Sequence, residues 1–289
     1  MRRFNSLLAL ILFALFSCGF TWGFGKGDHC SESTKAVEGV TNETLPAERA
    51  KIEKKILSLC PDGGAAHYLK GLALGASNKS EQAISEYRDA ISKEPLLADA
   101  YGQLGLLMLK KGVPDEASVN LYNSLKLKRS PSYAKALADL YLEGKFYGLA
   151  LLHYEQTMPV FANDVSVQNG MGQCYLGQGN LVKAREKFQT VLHLQPANEL
   201  SHLKLAEIYQ KEKQYDQAIA ELRLSLAANP GNRDSHYRLA QFLEMTGNSN
   251  EASNEYKLAG VERSVDPSDH MQRAASFTAA GAYDKAANE

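Results

Sequence analysis

A period of 34 residues runs through most of the chain and constrains its fold more than any other feature. One alanine recurs with separations of 34, 33, 34, 34, 34 and 34 residues, at Ala83, Ala117, Ala150, Ala184, Ala218, Ala252 and Ala286. The nonapeptides KSEQAISEY and QYDQAIAEL, which begin at Lys79 and Gln214, show the repetition directly. Self-similarity at a fixed period of this length indicates a repeat architecture rather than a single globular fold.

A second ladder of small residues shares this spacing and lies twelve positions before the first. Its members are Gly71, Gly105, Ala138, Gly172, Ala206, Ala240 and Ala274. Where two helices cross closely, a side chain larger than a methyl group pushes their axes apart, so both ladders predict helix crossings. Glutamate in place of Ala184 would bury an unpaired charge at such a crossing and is expected to be severely destabilising.

These features resemble the tetratricopeptide repeat, a helix-turn-helix unit with small residues at positions 8 and 20 and proline near position 32. The resemblance covers residues 64–261 as six units, which begin at Gly64, Ala98, Pro131, Val165, Glu199 and Arg233. It implies an all-α fold in which stacked helix pairs form a right-handed superhelical solenoid with a concave inner surface. We expect a helix over residues 45–61 and a partial seventh unit over residues 267–289 to cap the two ends.

The third unit departs from the pattern. The frame loses one residue just before it, and Pro159 falls late in its second helix. Proline removes a backbone donor and its ring clashes with the preceding turn, so this helix is predicted to break there. Residues 128–165 are therefore expected to be the softest part of the array.

The amino terminus has the pattern of an export signal. Arg2 and Arg3 precede the apolar run LLALILFALF, which is typical of a signal peptide and predicts one over residues 1–17. The sequence LFSC, which ends at Cys18, resembles a bacterial lipobox, although Phe16 stands where that motif usually has a smaller residue. This resemblance implies that Cys18 is lipidated and that the protein is a lipoprotein anchored to a membrane of the cell envelope.

Two other outcomes stay open for this segment. Cleavage near Gly19 or Gly23 would give a soluble exported protein, periplasmic if the source is bacterial. Alternatively, an uncleaved segment would anchor the chain, because no charge lies between Arg3 and Lys26. Residues 18–44 are predicted to be a flexible tether, since they begin rich in glycine and continue polar.

The other cysteines give one candidate bridge. Cys30 and Cys60 are predicted to pair if the compartment is oxidising, whereas Cys174 falls at a core-like position of a helix. The sequence contains no CxxC or CxxCH motif. Nothing in the cysteine spacing therefore indicates a thiol redox centre, a zinc ribbon or a haem attachment site.

The sequence lacks the common motifs of catalysis and of cofactor binding, among them HExxH, GxSxG and the phosphate-binding loop. His67, His202, His236 and His270 share the fourth position of their units, but equivalent residues of stacked units lie on the order of 10 Å apart, too far to share one ion. We therefore expect packing imidazoles, no metal, no cofactor and no enzyme activity. With 32 basic against 33 acidic residues and no basic cluster, nucleic acid is not an expected partner.

The resemblance also implies a binding groove, formed by positions 2, 5, 9, 12 and 13 of each first helix. The groove residues that it implies are Tyr68, Leu72, Leu106, Leu109, Lys135, Asp139, Glu143, Asn169, Gln173, Leu203, Glu207, Lys211, Tyr237, Gln241 and Glu244. Amide side chains in this set can donate and accept hydrogen bonds, which suits the backbone of an extended peptide; an unoccupied, hydrated face is the alternative. The carboxylate clamp of chaperone-binding relatives is not reproduced, because Asp139 follows Lys135 where the clamp has asparagine.

The sequence thus predicts an exported scaffold that binds a protein or peptide partner. Its expected role is in the assembly of a cell-envelope complex such as pili or a secretion or outer-membrane machine. The alternative is an accessory, non-catalytic subunit of an envelope enzyme such as a polysaccharide or cell-wall synthase. The layout of the chain alone carries this narrower part of the prediction.

Overall fold

The structure, a computed structural model of the chain, describes residues 27–41 and 43–261, together with residues 271, 274, 275, 278, 279, 286 and 287. Within these residues the fold is all α, with fourteen helices and no strand. The predicted all-α class is therefore confirmed. No helix of the described part is both long enough and apolar enough to span a bilayer.

The helices follow one another through short turns. In chain order they are α1 (Gly27–Val37), α2 (Pro46–Leu59), α3 (Gly64–Ala76), α4 (Ser80–Lys93), α5 (Ala98–Lys110), α6 (Pro114–Leu127), α7 (Pro131–Glu143), α8 (Tyr147–Phe161), α9 (Val165–Gly177), α10 (Leu181–Leu194), α11 (Glu199–Lys211), α12 (Tyr215–Ala228), α13 (Arg233–Met245) and α14 (Ser249–Leu258). The first residue of each of the six predicted units is the first residue of a helix, from α3 to α13. Each of these helices packs most extensively against the helix that follows it.

The chain divides into two compact units, Met1–Arg129 and Ser130–Glu289. The first contains α1 to α6, with repeats 1 and 2, and the second contains α7 to α14, with repeats 3 to 6. Inside each unit the second helix of a repeat packs on the first helix of the next repeat: α4 on α5, α8 on α9, α10 on α11 and α12 on α13. This is the nearest-neighbour packing of a stacked repeat protein.

The two ladders of small residues lie where the helices of one repeat meet. The alanines of the first ladder are at most 1% exposed in all six repeats: Ala83, Ala117, Ala150, Ala184, Ala218 and Ala252. In the second ladder, a Cβ added to Gly71 would lie 2.6 Å from the Tyr87 ring, and one added to Gly105 would lie 2.7 Å from Leu121 Cγ. A large residue sixteen positions after each of these glycines therefore fills the space that the missing side chain leaves.

One residue in each of the six hairpin turns adopts a left-handed conformation, always at position 15 of its repeat. Three of them are glycines, Gly112, Gly179 and Gly247, with φ between 73° and 81°. The other three are Asn78, Lys145 and Lys213, with φ between 57° and 60°. The turn requires this conformation, which an L-residue with a side chain adopts only at a cost in free energy.

The prediction that Pro159 breaks its helix is wrong. α8 runs from Tyr147 to Phe161 and carries Pro159 in its last turn. At this place proline removes a single helical hydrogen bond close to a terminus, while Tyr154, which is 0% exposed, holds the preceding turns in the core. The expected softness of residues 128–165 stays a prediction.

The flexible tether predicted for residues 18–44 is wrong over residues 27–41. These residues form α1 and the turn after it, and α1 packs against α2 and α3. A disulfide joins Cys30 to Cys60, and Val37 and Val40 are 0% and 4% exposed. A polar segment can fold here because the bridge and the surface of α3 supply contacts that its composition lacks.

Other predictions for the ends of the chain fall largely outside the described residues. The signal peptide (residues 1–17) and Cys18 lie wholly outside them, as does most of the partial unit at residues 267–289. The helix predicted over residues 45–61 corresponds to α2, but α1 precedes it, so α2 is the second helix of a hairpin.

The close crossing predicts opposite effects for two glycine substitutions in the same unit. In Gly105→Ala the new methyl group would meet both Leu121 Cγ and, at 3.1 Å, the Leu121 backbone nitrogen, so relief by a side-chain rotation is blocked. We expect a loss of about 1–3 kcal/mol in the free energy of unfolding, measured by urea denaturation. Gly75→Ala, whose methyl group would have only Tyr87 Oη at 3.7 Å, is the control and should gain up to about 1 kcal/mol. Similar losses in both variants would contradict the crossing model.

Candidate functional site

A groove of about 500 Å³ crosses the first helices of three consecutive repeats in the second unit. Its lining residues are Leu142, Glu143, Lys145, Tyr147, Gln173, Leu176, Gly177, Lys204, Glu207 and Lys211. The ends of α7 and α9 and one face of α11 supply most of them. The turn before α8 supplies Lys145, and the first residue of α8 is Tyr147. Residues one repeat apart in the sequence thus meet in one surface.

The floor of the groove depends on a glycine at the end of α9. A Cβ added to Gly177 would overlap the ring of Tyr147, which lies across this position. The bare backbone at Gly177 therefore allows the aromatic ring to lie against α9. Leu142 and Leu176 complete an apolar floor beneath the charged rim.

The rim carries three lysines against two glutamates, which leaves one excess positive charge. Lys204 Nζ lies 3.0 Å from Glu207 Oε2, and both side chains are about a quarter exposed. Lys145 and Lys211 form no salt bridge with any described residue. Their ammonium groups are available to acidic groups of a bound molecule.

The sequence identified part of this groove and missed the rest. Of the predicted residues, Glu143, Gln173, Glu207 and Lys211 line it. Lys145 was not predicted because it lies in the turn between α7 and α8, whereas the groove positions that the family implies all lie in first helices.

Three predicted groove residues are buried, and for them the prediction is wrong. Tyr68 and Leu72 are 0% exposed in the first unit, where α1 packs on their helix. Asn169 is 7% exposed, and its Oδ1 accepts a hydrogen bond of 2.9 Å from the Ser201 hydroxyl. This hydrogen bond joins α9 to α11 and occupies the amide oxygen.

Lys135 and Asp139 are engaged with each other beside the core. Lys135 Nζ lies 3.0 Å from Asp139 Oδ2, and the Tyr154 hydroxyl donates a 2.6 Å hydrogen bond to Asp139 Oδ1. Burial and the neighbouring carboxylate raise the pKa of Tyr154, and burial raises that of the Cys174 thiol to about 12. Both groups are therefore neutral, and Cys174 is a core residue.

The remaining predicted residues keep some exposure but lie outside the groove lining. They are Leu106 and Leu109 in the first unit and Leu203, Tyr237, Gln241 and Glu244 in the second.

The histidines at position 4 of their repeats make packing contacts within the repeat. In repeats 1, 5 and 6 the Nδ1 atoms of His67, His202 and His236 lie 2.5 to 2.8 Å from a glutamate nineteen residues later in the same repeat. The Nε2 atoms of His202 and His236 also lie 2.9 and 3.0 Å from the carbonyl oxygens of Pro196 and Pro230. Each of these two imidazoles thus links the loop before its repeat to the second helix of the repeat; His270 lies outside the described residues.

One group of described side chains has the spacing of metal ligands. Donor atoms of His67, Glu86 and Asp89 lie within 4.8 Å of one another. Glu86 is, however, already paired with both His67 and Lys70. The same histidine–glutamate pair recurs in two other repeats, so repeat packing accounts for this arrangement.

Two family models, both described as Tetratricopeptide repeat, match this sequence. One matches residues 61–134, and the other matches residues 175–228 and 211–267. Together with the helix pairs described above, these matches show that the chain belongs to the tetratricopeptide repeat family. Comparison with curated proteins found no match.

Several solved structures share the fold. YrrB, described as a TPR protein with an unusual peptide-binding site, is 18% identical with a TM-score of 0.59, over 63% of this chain and 94% of that chain. PilF of Pseudomonas aeruginosa is 18% identical with a TM-score of 0.53, over 77% and 95%. MamA of Desulfovibrio magneticus RS-1 is 19% identical with a TM-score of 0.53, over 58% and 97%. At these identities the likeness shows the fold alone.

The histidine–glutamate link predicts a pH-dependent stability. Burial by itself lowers the pKa of His236. The hydrogen bonds to Glu255 and to the Pro230 carbonyl, together with the negative charge of Glu255, outweigh burial, so the pKa of His236 is raised above the usual 6.5. A histidine whose pKa is higher in the folded state than in the unfolded state stabilises the fold when it is protonated. This stabilisation is complete at pH values below the unfolded-state pKa, and it is lost as pH rises through the folded-state pKa. We therefore expect Glu255→Gln to be most destabilising below pH 6.5 and progressively less so above it.

The measurement is the free energy of unfolding from about pH 5.5 to about pH 8.5, across the titration range of histidine. Glu251→Gln, in the same helix, removes an exposed ion pair with Arg223 and serves as the control. Its effect should be small and nearly constant over this range. A Glu255→Gln effect that is equally constant would contradict the link.

Proposed function

We propose that this protein is a non-catalytic scaffold that binds a protein or peptide segment in the groove of α7, α9 and α11. Tetratricopeptide repeats are protein-interaction folds, and the groove is the observation that carries the proposal. It combines an apolar floor with lysines that have no acidic partner among the described residues. Such a surface suits a segment that contributes both apolar side chains and carboxylates.

The groove offers separate contacts to the backbone and to the side chains of a bound segment. The Gln173 amide can donate to a peptide carbonyl and accept from a peptide N–H. Leu142, Leu176 and Tyr147 provide apolar contact area, and aromatic residues of this kind contribute strongly to protein interfaces. Lys145 and Lys211 then favour acidic residues in the partner.

We further propose that the protein is exported and works in the assembly of a cell-envelope complex. The signal-like amino terminus supports export, and the Cys30–Cys60 disulfide is typical of an oxidising compartment. Pseudomonas aeruginosa pilF has the same fold, and the name of that protein motivates pilus assembly as one form of this proposal. In this proposal a lipid on Cys18 anchors the chain to a membrane, and the mass of the mature amino terminus tests that step: an unmodified terminus beyond Cys18 would contradict it.

Charge reversal in the groove tests the binding proposal. Lys145→Glu combined with Lys211→Glu should repel an acidic partner and weaken its capture from a detergent extract of membranes about tenfold, which corresponds to about 1.4 kcal/mol. Quantitative mass spectrometry of the captured proteins gives the measurement. Lys213→Glu is the matched control, because Lys213 has the same turn position and the same left-handed backbone as Lys145 but does not line the groove.

The identity of the captured proteins decides the cellular role. Pilus or secretion subunits that are lost only in the double variant would support assembly. A synthase lost in the same way would instead make the protein an accessory subunit of an envelope enzyme. Equal capture by the double variant and the control would contradict binding in this groove.

A further inference from the structure

The inner face of repeat 1 is more completely covered than the same face of the other repeats. Position 9 of the first helix shows this directly. It is partly exposed in repeats 2 to 6, at Leu106, Asp139, Gln173, Glu207 and Gln241. In repeat 1 the corresponding residue, Leu72, is 0% exposed. Residues 27–41, here called the strap, lie against this repeat, because their helix α1 packs against α3.

The strap is fastened to repeats 1 and 2 by a few polar contacts. The Tyr68 hydroxyl donates to the Val40 carbonyl oxygen, and the Thr34 hydroxyl donates to a Glu94 carboxylate. The Gly39 N–H donates to Asp99 Oδ2 at 2.9 Å. The strap therefore lies across the first helix of repeat 1 and reaches the start of repeat 2.

The strap contributes few apolar side chains of its own to this attachment. Among its residues, Val37 and Val40 are the buried hydrophobic ones. A helix of the length of α1, which has eleven residues, is marginal in water by itself. The Glu32–Lys55 ion pair that also connects α1 to α2 has both side chains 54% exposed, so it adds little.

The disulfide is the covalent link that attaches the strap to the rest of the first unit. It joins Cys30 in α1 to Cys60 at the end of α2, with a Cα–Cα distance of 5.1 Å, and so holds α1 close to α3. Both cysteines are partly exposed, which gives a reductant access to the bond. The other cysteine in the described residues, Cys174, is buried and in the second unit.

We propose that the strap is a redox-controlled cover of the inner face of repeat 1. A dithiol reductant attacks the Cys30–Cys60 bond, passes through a mixed disulfide and leaves as a disulfide, while two electrons and two protons convert the cysteines to two thiols. The strap then detaches and exposes Tyr68 and Leu72. The opened face fits a helical segment of a partner that presents valine-sized side chains, as the strap does. This inference does not depend on the groove in the second unit.

Hydroxyl-radical footprinting of the full chain, with and without dithiothreitol, tests this proposal. Three tyrosines serve as reporters: Tyr68 (0% exposed) under the strap, Tyr87 (2% exposed) in the helix crossing of the same repeat, and Tyr237 (39% exposed) at the position equivalent to Tyr68 in repeat 6. Reduction should raise the modification rate of Tyr68 to that of Tyr237 and leave Tyr87 protected. The double variant Cys30→Ser, Cys60→Ser should show the same pattern without reductant.

Two results would overturn the proposal. If Tyr68 stays protected after complete reduction, the strap is a permanent part of the fold and no switch. If Tyr68 and Tyr87 become reactive together, the bridge stabilises the whole first unit and does not control a cover. Alkylation of Cys30 and Cys60 followed by mass spectrometry establishes that reduction is complete in either case.

Discussion

The close contact between the two helices of each repeat is the constraint on which the rest of the structure depends. A glycine or alanine at position 8 leaves room for a large residue sixteen positions later, as Gly71 does for Tyr87. Because every repeat has the same crossing, successive first helices lie beside one another within a unit. The groove across α7, α9 and α11 is a consequence of this stacking, since its lining residues come from three repeats.

Much of the fold was predictable because the helix crossing requires small residues at the same two positions of every repeat. The two ladders place the start of every repeat, and the family register finds Gln173 and Glu207 in the groove. The family register predicts groove residues incorrectly where a position has a packing role in one repeat. Leu72 is buried in the helix on which α1 packs, and the composition of residues 27–41 does not reveal α1. Asn169 bonds to Ser201 in the next repeat. Lys145 reaches the groove from a turn, and only the three-dimensional path of the chain shows this.

The two units present their inner faces in different states. In the first unit, residues 27–41 and the Cys30–Cys60 bridge close the surface of repeat 1. In the second unit, the groove is open and its Lys145 and Lys211 are unpaired among the described residues. We propose that a scaffold built in this way offers one surface to a partner at all times and a second surface only when its disulfide is reduced.

Photo-crosslinking in growing cells tests the central claim, that the open groove binds a partner, most directly. A photoreactive amino acid replaces Gln173 in one variant and Val182, which is 72% exposed on α10 outside the groove, in the other. The account predicts a discrete crosslinked protein from position 173 and none from position 182. Crosslinks from position 182 alone, or from neither position, would contradict it.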